Sequence, residues 1–154
     1  MKSVSEVLSS VAWNGIWSGP FEIQLWGRTY EVDLRFYGDE INGGQQSALS
    51  DFLLRQRELE ERVENELFAF YSGERDEFEA RYGDAVGQHA PVIDNSEGMS
   101  RIAFPQAVLF QYENVSPGGV FGFLFRCSWE EELGAAVAFS RTRFEGAGTQ
   151  DILL

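Results

Sequence analysis

Residues 21–36 read FEIQLWGRTYEVDLRF, and this stretch decides the fold class. Apolar and polar residues alternate on both sides of Gly27-Arg28, with Phe21, Ile23 and Leu25 before it and Tyr30, Val32, Leu34 and Phe36 after it. A period of two places every second side chain on the same face of a strand. The sequence therefore predicts a β-hairpin over residues 13–37, with one face in the core and the other in solvent.

Three tryptophans, Trp13, Trp17 and Trp26, lie in or beside this hairpin. They could form an exposed recognition surface, but large aromatic side chains near the start of a sheet usually pack in the core. We expect all three to be buried.

From residue 47 to 71 the apolar spacing changes to three or four residues, which predicts one long amphipathic helix. Two pairs on its outward side, Arg57 with Glu61 and Glu58 with Arg62, are spaced i,i+4 for ion pairing. A shorter helix is expected over 74–82, after a stop at Gly73. The outward residues of the long helix are Arg57, Glu58, Glu60, Glu61, Arg62, Glu64 and Glu66, and the short helix adds Asp76, Glu77 and Glu79.

Residues 83–100 are rich in Gly, Asp, Asn, Ser and Pro, which predicts a mobile loop. Asp94 to Gly98 lacks the ligand spacing of a calcium loop. His89 is the one histidine of the sequence, so no second histidine completes a metal site, and we expect it at the surface.

The last third returns to short strand patterns separated by turns. Strands, then helices, then strands again is the order of an α+β domain in which helices cover one face of an antiparallel sheet. We predict a single domain over 1–154 with an N-terminal hairpin, a C-terminal meander, and a long and a short helix on one face. The expected strands are 107–112, 120–129, 135–140 and 143–147, with turns at Ser116-Pro117-Gly118-Gly119, Leu133-Gly134 and Arg141-Thr142.

The charge distribution indicates the kind of partner. Residues 39–97 hold fifteen of the twenty-five carboxylates and five arginines, so this segment carries −10 of the formal −13. Such a chain is repelled by nucleic acid and by anionic membranes and is attracted to basic proteins. We therefore predict a basic protein partner, with no nucleic acid and no membrane.

Composition limits the class of protein further. Hydrophobic residues at 44% and aromatics at 14% exclude a disordered acidic tail. The lone Cys127 lies in an apolar run, which favours a small buried hydrophobe over a nucleophile. No apolar run has the length of a signal sequence or a bilayer span, so we expect a cytoplasmic protein.

Few residues suggest catalysis. Glu130 and Glu132 would share a face of an extended chain and could act as an acid/base pair, but a charged turn between two strands is the simpler interpretation. The Gly-Gly pairs lack the lysine and helix start of a phosphate-binding loop. We predict no enzymatic activity, no cofactor and no metal.

The stretch Cys127-Ser128-Trp129-Glu130-Glu131-Glu132-Leu133-Gly134-Ala135-Ala136-Val137, followed by Gly148 and Asp151, resembles the closing hairpin of an uncharacterised bacterial family. In that pattern a tryptophan–acid–x–glutamate–histidine–glycine turn leads into a strand. Leu133 stands at the position of the histidine, so a role tied to that imidazole does not carry over. Small acidic domains of this kind are similar to immunity proteins of polymorphic or contact-dependent toxin systems, which bind one cognate toxin domain and block its active site.

The resemblance implies a cytoplasmic immunity-type protein that neutralises a basic toxin domain, and the acidity is consistent with that role. Two alternatives stay open: a scaffold that binds a protein without inhibiting it, and a small-ligand or metal-dependent enzyme using Glu130, Glu132, His89 and Asp151. The expected partner-binding residues are Glu58, Glu61, Glu64, Asp76 and Glu77 on the helices, with Glu130, Glu131 and Glu132 as a secondary patch.

Overall fold

The structure, a computed structural model, describes residues 2–112 and 120–154. Within these residues the chain forms an α+β fold with one seven-stranded sheet, whose strands lie side by side in chain order. All neighbouring strands pair antiparallel except β3 and β4, which are parallel. The strands are β1 (Ala12–Trp13), β2 (Trp17–Leu25), β3 (Arg28–Phe36), β4 (Ala103–Phe110), β5 (Val120–Cys127), β6 (Ala135–Ser140) and β7 (Arg143–Gly148).

The predicted hairpin is present as β2 and β3. Phe21 pairs with Val32 in register, and both side chains are buried. The connection is the two-residue turn Trp26-Gly27, with φ values of 54° and 71°, one position before the expected Gly27-Arg28. Two consecutive left-handed residues give a turn whose twist matches the right-handed twist of the strands.

The tryptophans do not share one environment. Trp26 is buried, as predicted, and Trp17 is partly buried. The expectation for Trp13 is wrong, because this residue is 49% exposed on the two-residue strand β1 at the sheet edge. Its ring packs against that of Trp17 in a tilted arrangement, with ring centroids 5.4 Å apart.

The parallel pairing of β3 with β4 requires a crossover connection between the two strands. Most of the helical residues lie in this connection. These helices pack against one face of the sheet, and α3 contacts both β2 and β7, so the sheet curves around this helix. The helices are α1 (Val4–Leu8), α2 (Gly43–Leu54), α3 (Gln56–Gly73), α4 (Arg75–Tyr82) and α5 (Val86–His89).

The expected single helix over 47–71 is two helices. A capping box between Asn42 and Gln45 starts α2 four residues before the predicted start. Arg55, with φ −122° and ψ 22°, separates α2 from α3. This break leaves Leu54 67% exposed at the junction.

The segment predicted as a mobile loop, 83–100, contains short helical turns. Gly83–Ala85 and Ser96–Arg101 are 3₁₀ helices, and α5 lies between them. Ile93 and Met99 are buried in the core, which ties this segment to the domain despite its polar composition.

The four C-terminal strands follow the prediction closely, except that β4 starts at Ala103, before a bulge between Pro105 and Ala107. The expected turn Ser116-Pro117-Gly118-Gly119 lies outside the described residues. After β7 a 3₁₀ helix, Gln150–Ile152, places Leu153 on the sheet face opposite the helices, where it packs with Leu109 and Leu124. In the described part of the chain, no helix is long and apolar enough to span a membrane.

Candidate protein-binding surface

The end of α4 packs on the turn that follows β5. The phenolic hydroxyl of Tyr82 donates a 2.7 Å hydrogen bond to the carbonyl of Trp129, whose indole is buried against Tyr71 and Phe78. This contact fixes the position of the acidic turn 130–132 relative to α4. The two patches that the sequence suggested separately are therefore neighbours.

Arg81 lies between these patches. Its guanidinium is 3.8 Å from the carboxylate of Glu77 on α4 and 3.3 Å from that of Glu130 on the turn. No sequence argument singled out Arg81, although its i,i+4 spacing from Glu77 is a signal for this contact. We call Asp76, Glu77, Glu130, Glu131 and Glu132 the acidic surface, with Arg81 as its central cation.

The carboxylates of the acidic surface differ in exposure. The Glu131 side chain is 70% exposed, whereas Glu130 is mostly buried beside Arg81. Asp76, Glu77 and Glu132 are also exposed. Four of the five carboxylates are thus accessible to a partner.

His89 borders this surface. Its ring stacks on Tyr82 with centroids 4.4 Å apart, and its Nδ1 lies 3.6 Å from the Glu131 carboxylate. The Ser128 hydroxyl donates to the carbonyl of His89 at 2.6 Å. His89 is therefore partly buried and helps hold the turn, rather than lying free at the surface as expected.

The carboxylates are crowded where α4 begins. A side-chain hydrogen bond with Glu77, together with desolvation and repulsion from the same carboxylate, raises the pKa of Glu74. Close carboxylates favour protonation because two adjacent negative charges repel each other. The carboxylates of Glu74 and Glu77 thus repel each other at the start of α4.

On α3, Glu58 and Glu61 are exposed, as expected for partner-binding residues. Arg57 pairs with Glu61 at 3.4 Å, which confirms one predicted ion pair. The other is wrong: Arg62 pairs with Glu66 at 3.1 Å, and among the described residues no ion pair joins it to Glu58. Glu58 is therefore exposed and has no ion-pair partner among the described residues.

Two acids predicted on the outward side of α3 turn toward the sheet instead. Glu60, 3% exposed, accepts the amide of Gln24 at 2.8 Å, and Glu64, 14% exposed, accepts the amide of Trp26 at 2.9 Å. The outward placement of Glu60 is thus wrong, and the Glu64 carboxylate is largely occupied within the fold. Pro20 was the available signal, because a proline inside a strand marks a sheet edge that needs protection.

Two more side chains of α3 complete this protection. Gln56 donates to the carbonyl of Glu22 at 3.1 Å, and Arg57 donates to the carbonyl of Gln24 at 3.2 Å. We call Gln56, Arg57, Glu60 and Glu64 the edge cap. Their side chains bond the carbonyls of Glu22 and Gln24 and the amides of Gln24 and Trp26, where a neighbouring strand would otherwise pair.

The residues considered for an enzyme line neither of two surface cavities in the described part of the chain. The cavities, of about 920 and 310 Å³, are lined by none of Glu130, Glu132, His89 and Asp151. Asp151 accepts a hydrogen bond from Thr149 in the C-terminal turn. Among the described residues, no group of three metal-binding side chains is arranged to hold an ion.

Cys127 is buried, as predicted, and its thiol donates to the carbonyl of Glu130 at 3.4 Å. Burial raises the pKa of Cys127 to about 12. A thiol held in its protonated form is a poor nucleophile, so this residue supports the turn by packing and by its hydrogen bond.

The chain belongs to the family described as Domain of unknown function (DUF6985), whose model matches residues 4–154. No curated protein and no solved structure matches it. The family description assigns no activity.

Proposed function

We propose that this chain is a cytoplasmic immunity-type protein that binds a basic toxin domain through its acidic surface and so neutralises the toxin. The observation that supports this proposal best is the position of Arg81 between Glu77 and Glu130, because it joins two acidic segments distant in sequence into one continuous surface. Glu58 and Glu61 extend the negative charge along α3.

The rigidity of this surface favours binding. The Tyr82–Trp129 hydrogen bond and the Ser128–His89 hydrogen bond hold the turn before any partner arrives. A surface that is ordered in advance loses less conformational entropy on association. The exposed carboxylates attract a basic partner over long range and raise the association rate.

The first test identifies the partner. The tagged chain is captured from its native cells, and proteins that co-purify at equal stoichiometry are identified by mass spectrometry. We expect a basic toxin domain whose activity falls when the chain is added. An acidic partner, or a basic partner whose activity is unchanged, would contradict the immunity role.

The second test locates the contact on the protein. The charge reversals Asp76→Lys, Glu77→Lys, Glu131→Lys and Glu132→Lys are combined in one variant, which keeps Glu130 because its carboxylate pairs with Arg81. The matched control reverses Asp39, Glu40, Asp94 and Glu97, four exposed acids outside the acidic surface. We expect the first variant to associate at least about tenfold more slowly than the control and with a weaker dependence on salt. Equal rates for the two variants would refute the acidic surface as the contact.

A further inference from the structure

A second surface runs along the free edge of β2. A groove of about 920 Å³ lies between the start of the chain, this edge and the junction of α2 with α3. Pro20, Phe21, Leu53 and Leu54 supply its apolar lining. Leu54 is 67% exposed, and the break at Arg55 places it in the groove.

The groove also contains an unfavourable charge arrangement. Glu22 on β2 and Glu31 on β3 are direct partners in register, so their side chains lie on the same face of the hairpin. Both are exposed, and within the described residues neither forms an ion pair. Like charges directly opposite each other destabilise a strand pair, and a cation placed between them would remove that repulsion.

Two cations of the chain also line the groove, but neither forms an ion pair with Glu22 or Glu31. Arg57 is held by the carboxylates of Glu60, Glu61 and Glu64, at 3.5, 3.4 and 3.7 Å. Lys2 lies near the start of the chain and forms no ion pair among the residues described. The exposed carboxylates of Glu22 and Glu31 are therefore available to pair with the cations of an occupant.

We propose that this groove binds an extended segment of a protein in which basic and apolar side chains alternate. The basic side chains meet Glu22 and Glu31 on the outer face of the hairpin, and the apolar ones pack on the exposed Leu54. An extended segment has the period of two that separates these side chains onto opposite faces. The groove is distinct from the acidic surface, and its occupation does not depend on the immunity role.

The edge cap decides how the segment binds. The carbonyls of Glu22 and Gln24 and the amide of Gln24 are already bonded to Gln56, Arg57 and Glu60. The segment therefore binds through its side chains and does not add a strand to the sheet. This distinguishes the groove from an open edge that pairs with any extended chain.

The probe is a blocked hexapeptide of alternating lysine and leucine, titrated into the full chain and followed by the amide resonances of the protein. We expect shifts at the groove, around Glu22, Glu31 and Leu54, with the amide of Gln24 still protected from hydrogen exchange. The same peptide with glutamate in place of lysine should produce no shifts. Shifts confined to α4 and the turn 130–132, or loss of the Gln24 protection, would overturn the proposal.

Matched variants separate the groove from general charge attraction. Glu22→Gln with Glu31→Gln should weaken peptide binding about tenfold, whereas Asp94→Asn with Glu97→Gln, which removes the same charge elsewhere, should weaken it less than about threefold. Leu54→Ser should weaken binding without changing the charge. Equal losses of peptide affinity in the two double variants would refute the groove as the binding site. Neither result bears on toxin binding through the acidic surface.

Discussion

The backbone amide of Gln24 donates its hydrogen bond to the carboxylate of Glu60, thirty-six residues further along the chain. A helix side chain thus takes the place of a neighbouring strand at the edge of the sheet. Exposed strand edges pair with other chains and promote aggregation, and proteins cover them in several ways. In this protein α3 both packs over the core and closes the edge.

Replacing Glu60 tests the edge cap. In Glu60→Ala the amide of Gln24 loses its partner while α3 keeps a good helix former, so we expect a loss of about 1–3 kcal/mol in the free energy of unfolding. Urea denaturation measures it. The control Glu58→Ala, at an exposed position of the same helix, should change stability by less than about 0.5 kcal/mol. A Glu60→Ala variant as stable as this control would mean that the hydrogen bond contributes nothing.

The crowded carboxylates at the start of α4 predict a dependence of stability on pH. Because the pKa of Glu74 is raised in the folded protein, the folded state binds a proton more readily than the unfolded chain. The charged form of Glu74 therefore lowers the free energy of unfolding at neutral pH. This loss of stability disappears as the pH falls through the pKa that Glu74 has in the folded protein. We expect Glu74→Gln to be more stable than the parent at neutral pH, with the difference vanishing on acidification.

Denaturation midpoints from neutral pH down to about pH 4 measure this effect. Glu58→Gln is the control for removing one negative charge from an acidic chain. If the advantage of Glu74→Gln grew on acidification, or if Glu58→Gln showed the same profile, the explanation through Glu77 would be wrong.

Gly134 at the end of the acidic turn cannot tolerate a larger side chain. Its φ is 62°, and an added Cβ would lie 2.5 Å from the carbonyl oxygen of Phe125. Gly27, with φ 71°, has open space around the same position. We expect Gly27→Ala to cost about 1–2 kcal/mol for its left-handed backbone, and Gly134→Ala to cost about 1–3 kcal/mol more because it also clashes. Thermal or chemical unfolding measures the stability of the two variants. Equal losses of stability would show that the backbone around Gly134 shifts to accommodate the new side chain.

Cys127 should not react while the protein is folded. Burial and a pKa of about 12 keep its thiol protonated and inaccessible at mildly alkaline pH. We expect a thiol-specific chromogenic reagent to modify it only as fast as the protein unfolds, and rapidly in urea. Rapid modification of the native protein would indicate that the turn after β5 opens.

Much of the sheet follows from local pattern. The alternation from Phe21 to Phe36 places β2 and β3 within a few residues of their observed bounds, and β6 matches its prediction, because each side chain's face depends on its nearest neighbours. The break between α2 and α3 was missed because the apolar spacing continues across Arg55. Periodicity predicts which side chains are buried. It does not predict that one residue, here Arg55, has a non-helical backbone conformation that ends a helix.

The acidic surface and the edge cap show where sequence reasoning fails. Glu58, Glu60 and Glu61 look alike in the sequence, yet Glu60 is buried against β2 and the other two are exposed. The joining of α4 to the turn 130–132 through Arg81 depends on tertiary packing of segments about fifty residues apart. Neither follows from residue spacing within one helix.

The parallel pairing of β3 with β4 has a consequence for the order of folding. Within β1–β3 and within β4–β7, each strand pairs antiparallel with its neighbour in sequence, and such local contacts form quickly. Asp33 and Ala107 meet only after the intervening chain, with α2 to α5, has closed into a loop. We expect the two antiparallel parts to form early and independently, and the β3–β4 seam to be the slow, rate-limiting step that joins them into one sheet.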